Sequence, residues 1–417
     1  MGKLIRIIIF SIGLTVAALT GWSAPKISVL TCSPGQALYT GFGHTAIRLQ
    51  DTLEGKPLDL VFNYGTFRFT EEFYLQFAQG RLDYFLSVNP FYEFQEMYLY
   101  EGRGIQEQAL LMSRADLEKL SELLIENAQP ANATFRYHFF FDNCSVRVWE
   151  IIKKASSVPI EIPKLPSHGT FRQAIDHYLT PFPWGDWGID MALGAPCDKT
   201  MQDKDLAFLP DSLLYLLSKV KYNGQPLCSP AQELIPVDDS VLAMEFNDTS
   251  SDSILGKVGN EVFYWGRELM HRVPPVLFFG FFTVLVGLSG FWVARKGKLR
   301  TWLESAFALF FAILGSFIVF LWFFTDHDTT HQNWNLLWAH PFWFYLLSCT
   351  PRRCGTWMRK ICMVQLVISV LTLILFFFLP QTFHGTVVWM LLVQIYMMLK
   401  SVKPFWFTKT LNEKKDA

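Results

Sequence analysis

Tyr137-His138-Phe139-Phe140-Phe141-Asp142-Asn143-Cys144-Ser145 runs from an aromatic, strand-like stretch through a polar Asp-Asn step into a helix that opens on a cysteine. Val148, Ile151 and Ile152 continue an apolar face at helical spacing to about Ala155. A thiol at that point meets unpaired backbone N–H groups and the positive end of the helix dipole. Both favour thiolate over thiol, and both can hold a developing oxyanion. Cys144 is therefore the candidate nucleophile. It needs an imidazole within hydrogen-bond reach to take its proton and return it to a leaving group. His44, which the Gly41-Phe42-Gly43 turn delivers at the start of a strand, is the candidate base. A lone cysteine or a strand-end histidine is usually structural, so it is their joint position at polar element ends that singles out the pair. His138, six residues before the cysteine, is the next imidazole to consider.

Around this stretch the pattern is mixed α+β. Residues 27–30, 44–49 and 58–64 read as strands, the second with Thr45, Ile47 and Leu49 on one face and His44, Ala46 and Arg48 on the other. Residues 113–127 read as a helix capped by Ser113 with a Leu117, Leu120, Leu123, Leu124 stripe. Cys32, Cys144, Cys197 and Cys228 stand 112, 53 and 31 residues apart, which matches no zinc template. If one disulfide exists among them, Cys197 with Cys228 is the pair to expect; the rival is that all four are reduced. No metal and no cofactor is expected.

The rest of the chain belongs to another solvent. Of its 417 residues 51% are hydrophobic and only 18% charged, below the roughly 25% charge of soluble domains. A net charge of -1 leaves no basic field for nucleic acid, and the apolar content excludes a disordered chain. Residues 24–272 hold 21 basic and 32 acidic side chains, residues 273–417 hold 13 and 5. Lys3 and Arg6, an apolar run over 7–19 and small Gly21 and Ser23 have the layout of a signal peptide over 1–23. An exported (periplasmic) domain over 24–238 follows, then a linker over 239–272 rich in Asp, Ser, Asn and Thr at its start. Apolar stretches at 273–294, 302–324, 332–350, 361–379 and 383–399 give five spans within a membrane domain over 273–400. Its basic residues fall at 295–300, at 352–360 and in the tail over 401–417 together with Lys400. The positive-inside rule puts those three places and the C-terminus in the cytoplasm, and the exported domain outside.

The motifs together are recognisable. A Gly-His strand followed later by Asn-Cys at a helix start resembles the circularly permuted papain-like fold of thiol acyltransferases and peptidases. The run TCSPGQALYTGFGHTAIRLQD over 31–51, FNYGTF over 62–67, FDNCSVR over 141–147, PWGDWGIDMALGAPCD over 183–198, FLPDSLL over 208–214 and NWNLLWAHP over 333–341 are similar to the bacterial Lnb-type lipoprotein N-acyltransferase family. The resemblance implies an α+β exported domain of that papain-like type followed by an all-α domain of five transmembrane helices in the bacterial inner membrane. It implies a membrane-bound thiol acyltransferase that moves an acyl chain from a phospholipid donor, through a thioester on Cys144 with His44 as base, to the N-terminal amine of a diacylglyceryl-cysteine lipoprotein acceptor. Ser145, Val146 and Arg147 depart from the acidic residue and histidine that follow the cysteine in retinol acyltransferases. The group that orients His44 is therefore open among Asn63, Tyr64 and Asp142, with a plain turn at Asn63-Tyr64-Gly65 as the alternative.

Other polar groups have two readings each. Arg48 and Arg147 would meet lipid phosphate or acidic partners in the fold. Asn333, Asn335 and His340 would contact a substrate headgroup at the membrane's outer edge or belong to an interfacial belt with Trp334 and Trp338. Asp326, His327, Asp328 and His331 could suggest a metal site but are more often a solvated outer loop, and Arg172 with Asp176 reads as an i,i+4 structural pair. The rival function is a membrane-tethered Cys-His cell-wall amidase or peptidase, which would need one anchor. A binding module for a transporter would need more polar groups than Gln365, His384 and Gln394 in the last two spans.

Overall fold

The computed structural model describes residues 24–53, 55–68, 72–166, 169–244, 273–292, 298–347 and 356–413. The expected signal segment, most of the linker, and Arg295, Lys296, Arg352 and Arg353 lie outside them. The chain divides into two compact units, Met1–His168 with Met201–Thr249, and Gly169–Thr200 with Ser250–Ala417. Within the stretch expected as one exported domain over 24–238, residues 169–200 cluster with the helical unit. Of these, Trp184, Trp187 and Met191 pack into that unit's apolar core.

The first unit is built on a seven-stranded antiparallel sheet. Its strands are β1 (Lys26–Cys32), β2 (His44–Leu53), β3 (Lys56–Thr66), β4 (Asp83–Pro90), β5 (Ile105–Ala109), β6 (Thr134–Arg136) and β10 (Gln232–Ile235), in the order β10-β5-β1-β2-β3-β4-β6. A small second sheet holds β7 (Ile160–Glu161), β8 (Lys221–Tyr222) and β9 (Gln225–Pro226). Both faces of the large sheet are covered. On one, Ile27, Val29, Ile47, Leu49 and Phe62 pack against the leucine stripe of the helix Arg114–Asn127 and against Val148, Trp149 and Ile152 of the helix Cys144–Ala155. On the other, Leu30, Ala46, Val61 and Ile105 meet Phe94 and Tyr98 of the helix Phe91–Tyr100. Ser113 caps its helix as the sequence suggests, but Asp116 turns inward to take hydrogen bonds from Ser157 and Tyr222. The amphipathic helix from Cys144 is thereby clamped between the sheet and a second helix, with its first residue at the sheet's end.

The second unit is helical: Pro275–Trp292, Lys298–Phe323, Thr356–Ile374 and Thr386–Glu413. Among the described residues, Trp302–Phe323 and Trp357–Ile374 are long and apolar enough to cross a membrane, while Pro275–Leu288 and Thr386–Ser401 are shorter apolar stretches. The span expected over 332–350 is not one continuous helix in its described part. It makes a 3-10 turn at Trp334–Leu337 and restarts as a helix at Trp343–Leu347, with Pro341 between them. The carbonyls freed by that break are paid for by side chains: Gln365 donates to Leu337 O, while Gln394 and the Trp343 indole donate to Trp338 O. Among its described residues the same unit holds a buried charge network. Arg172 binds Asp190 at 2.6 Å, Asp198 at 3.1 Å and the carbonyls of Leu193 and Gly194, not the Asp176 that i,i+4 spacing suggests.

Cys197 and Cys228 fall in different units and both are free thiols, as are Cys32 and Cys144, so the expected pairing does not form. Cys197 is instead buried against the Thr329 carbonyl. Removing the arginine should show what the charge network holds. Arg172→Leu leaves two carboxylates uncompensated and should cost about 3–5 kcal/mol, read as a clear fall in Tm of the detergent-solubilised protein. An unchanged Tm would mean that the network does not support the fold.

Candidate active site

Three hydrogen bonds from one amide fix where the cysteine sits. Asn143 caps the helix Cys144–Ala155: its Oδ1 accepts from Val146 N at 2.9 Å, and its Nδ2 donates to Phe139 O at 2.6 Å and Phe208 O at 2.8 Å. The turn before it is tied by His138, whose Nδ1 accepts the N–H groups of Phe140 and Phe141, and by paired backbone bonds between His138 and Asp142. His138 therefore shapes the approach to the helix and is spent there. One residue after the cysteine, Ser145 shares a buried hydroxyl bond of 2.9 Å with Thr45, which fastens the helix start to β2 one residue past His44.

His44 reaches the same place from the sheet. Gly43 has φ +74°, and a Cβ there would lie 2.7 Å from the Cys32 carbonyl, so only glycine makes the turn that starts β2 at His44. His44 Nε2 lies 2.6 Å from Asn63 Oδ1 on β3. An amide oxygen accepts, so Nε2 carries the hydrogen and Nδ1 is the nitrogen left for the sulfur. Gly65, the extra residue of a bulge between β3 and β4, has φ +106°, and a methyl group on it would lie 3.7 Å from His44 Cε1 and 3.8 Å from Cys144 Cβ.

The electrostatics follow from these contacts. Burial pushes the Cys144 thiol up, but the His44 charge and hydrogen bond, the Thr45 N–H and the Ser145 hydroxyl outweigh it and hold the thiol below its ordinary value of 9.0. Burial pushes His44 down, and the Cys144 charge, its hydrogen bond and that of Asn63 outweigh it, holding the imidazole above 6.5. Thiolate and imidazolium each stabilise the other here, with an amide behind the imidazole. Such a group can attack an electrophilic carbonyl and deliver a proton to what leaves.

Two family profiles match the chain: the Lnb N-terminal periplasmic domain over residues 22–175 and the Lnb transmembrane domain over 267–411. Together they span more than two thirds of it. The chain belongs to the Lnb family. It is accordingly a membrane-anchored protein with an α+β domain on the outer face and a helical membrane region. No curated protein and no solved structure matches it.

The other polar residues of this Lnb chain are engaged within the fold. Tyr64 faces the core, with its hydroxyl accepting from Asn127, and Asp142 binds Arg147 through both oxygens. Neither touches His44 in a described bond. Arg147 stacks on Phe135, and Arg48 grips Asp59 and Glu107 while lying 3.5 Å over the Phe91 ring. Asn333 and Asn335, expected at a headgroup, are buried in the helical unit. Asn333 donates to the carbonyls of Met191 and Ala192, and Asn335 to that of Asp190. His340 Nε2 meets Gln365 there. A site residue that the sequence did not single out is Thr45, whose signal is only its position next to His44. Among the described residues Asp176, Asp186 and Asp190 lie close enough to share a cation, but Arg172 already supplies positive charge to Asp190. Burial and the neighbouring carboxylates push Asp176 up to about 7 and Asp186 up to about 6.

The opposite shifts bring thiol and imidazole toward each other. A protonated imidazole helps the thiol to ionise, and that help fades as pH rises through the raised imidazole value. Alkylation of Cys144 by iodoacetamide, followed by peptide mass spectrometry, should therefore rise at a pH below 9.0. In His44→Ala burial is no longer opposed by the imidazole, so the rise should move up in pH, with a smaller move in the same direction for Asn63→Ala. An identical profile in all three proteins would separate the cysteine from the histidine.

Proposed function

We propose that this Lnb-family protein is a thiol acyltransferase, with Cys144 as nucleophile, His44 as general base and acid, and Asn63 as the group that orients the imidazole. The observation that carries the reading is the Nε2-bound His44 beside a lowered-pKa thiol at a helix start, inside an Lnb periplasmic domain. In the first half-reaction the Cys144 thiolate attacks the ester carbonyl of a phospholipid. A C–S bond forms, and the N–H groups of Cys144 and Ser145 in the first helical turn are left to hold the oxyanion. The C–O bond breaks, and the lysophospholipid leaves with the proton of the His44 imidazolium. In the second, the neutral N-terminal amine of a diacylglyceryl-cysteine lipoprotein attacks the thioester, His44 takes the amine proton, and the C–S bond breaks to restore the thiolate. No cofactor is required.

The order of the elements, histidine strand first and cysteine helix later, supports a circularly permuted papain-like domain. The three clusters of Lys and Arg support five crossings with the C-terminus in the cytoplasm, the third made by the broken segment around Trp334–Leu337 and Trp343–Leu347. A membrane base suits this reaction physically. Both substrates are lipid-anchored, so a site at the bilayer surface meets them without drawing their chains into water.

Exposure of the purified protein to phospholipid should give an acyl mass increment on Cys144, seen by intact and peptide mass spectrometry. Cys144→Ala and Cys144→Ser should remove both adduct and lipoprotein acylation while inserting normally. His44→Ala should lose on the order of 10²- to 10⁴-fold in rate, partly regained at higher pH. Wild-type acylation by Cys144→Ala in cells with no other such enzyme would overturn the assignment. Cysteine labelling should find Asp239 and His327 outside and Lys298 and Lys409 inside; the reverse would move the reaction to the wrong leaflet.

A further inference from the structure

The space above Gly65 has a third wall besides the base and the nucleophile. A methyl group on Gly65 would lie 4.0 Å from Tyr84 Cδ1, as close as it comes to Cys144 and His44 within a few tenths of an ångström. A group placed above Gly65 would therefore be bounded by these three side chains. Behind Tyr84, Tyr137 stacks on it at 4.1 Å and closes that side. In the other direction ring contacts continue outward: Tyr84 to Phe67 at 5.3 Å, and Phe67 to Tyr39 at 6.5 Å. Tyr39 is 73% exposed and its neighbour Leu38 43%. A chain of ring contacts thus runs from exposed Tyr39 inward to Tyr84, which borders the space above Gly65.

Resting on the acyltransferase reading, we propose that Tyr84, Phe67 and Tyr39 form the track along which the donor's fatty acyl chain lies, with its ester carbonyl over Gly65. The run begins at the thiol and ends at the domain surface, which is the geometry an unbranched chain needs when one end reacts and the other remains near its lipid neighbours. Ring faces reward methylenes, each worth roughly fourfold in affinity when taken out of water. Gly65 keeps the inner end open: a side chain there would occupy the carbonyl's place, and φ +106° makes that position strained for any other residue. Tyr84 is the specificity-determining residue nearest the chemistry, and Phe67 and Tyr39 extend its reach.

The test compares Cys144 acylation in the full-length protein by p-nitrophenyl acetate and p-nitrophenyl octanoate, normalised for folded protein by circular dichroism. In this reaction the thiolate displaces p-nitrophenolate, so a C–S bond replaces the C–O bond. Wild type should prefer octanoate. The octanoate-to-acetate rate ratio should fall at least about tenfold in Phe67→Ala and about threefold to fourfold in Tyr39→Ala, while Phe67→Leu, which keeps apolar bulk, should retain most of the preference. Tyr100→Ala removes an equally exposed aromatic outside the track and should leave the ratio unchanged. Equal losses for both esters, or an unchanged ratio in Phe67→Ala and Tyr39→Ala, would overturn the track while leaving the nucleophile assignment standing. Absence of any acyl adduct on wild-type Cys144 would instead sink the acyltransferase reading, and the track with it.

Discussion

Everything at the site depends on the place where one helix begins. The Asn143 side chain ends the preceding turn, caps the helix and ties both to the Phe208 carbonyl, so Cys144 cannot slide along the chain without breaking a buried amide's bonds. An unsatisfied buried amide is costly, which is why the polar step before the cysteine is Asn-bearing in a stretch otherwise made of phenylalanines. The helix is then held by its apolar face and by the Ser145–Thr45 hydroxyl pair. The start of the helix and the start of β2 meet at that hydroxyl pair, with the imidazole and the thiol beside it.

The parts of this arrangement that repeat along the chain were legible in the sequence. Alternation placed β1, β2 and β3 within a few residues, and the leucine stripe placed Arg114–Asn127, because periodic burial leaves a periodic pattern. The helix starting at Cys144 was legible from its polar step. Asn63 stood only as one of three candidates, since three residues of similar capacity lay near and only the register of β3 against β2, with its bulge at Gly65, aims one of them at His44. Tyr64, its chain neighbour, points to the opposite face for the same reason.

The membrane half was legible as apolar length and illegible as polar detail. Asn333 and Asn335 read in one dimension as headgroup contacts or an interfacial belt, and Gln365 and Gln394 only as isolated polar groups within spans, because hydropathy cannot see that the segment 332–347 is broken. Their donors go to Met191, Ala192, Asp190, Leu337 and Trp338 carbonyls. In a low-dielectric interior an open carbonyl is costly, and amide side chains satisfy these carbonyls from both sides: Gln365 and Gln394 from regular helices, Asn333 and Asn335 from the irregular segment itself. The segment 169–200 was likewise assigned by sequence position to the outer domain, whereas Arg172 and the tryptophans bind it into the helical unit.

The choice of an amide rather than a carboxylate behind His44 has an electrical consequence. Thiol with imidazole and thiolate with imidazolium carry the same total charge, zero, and Asn63 adds none. Moving the proton between sulfur and nitrogen therefore changes a local dipole but not the net charge of the pocket, so nothing ionic need enter or leave when a greasy substrate displaces water. Such a pocket can dry out around its substrate and still keep its charges separated, provided that fixed dipoles, here the Thr45 N–H and the helix start, face the sulfur. A carboxylate in the place of Asn63 would instead have added an unbalanced negative charge beside the pair.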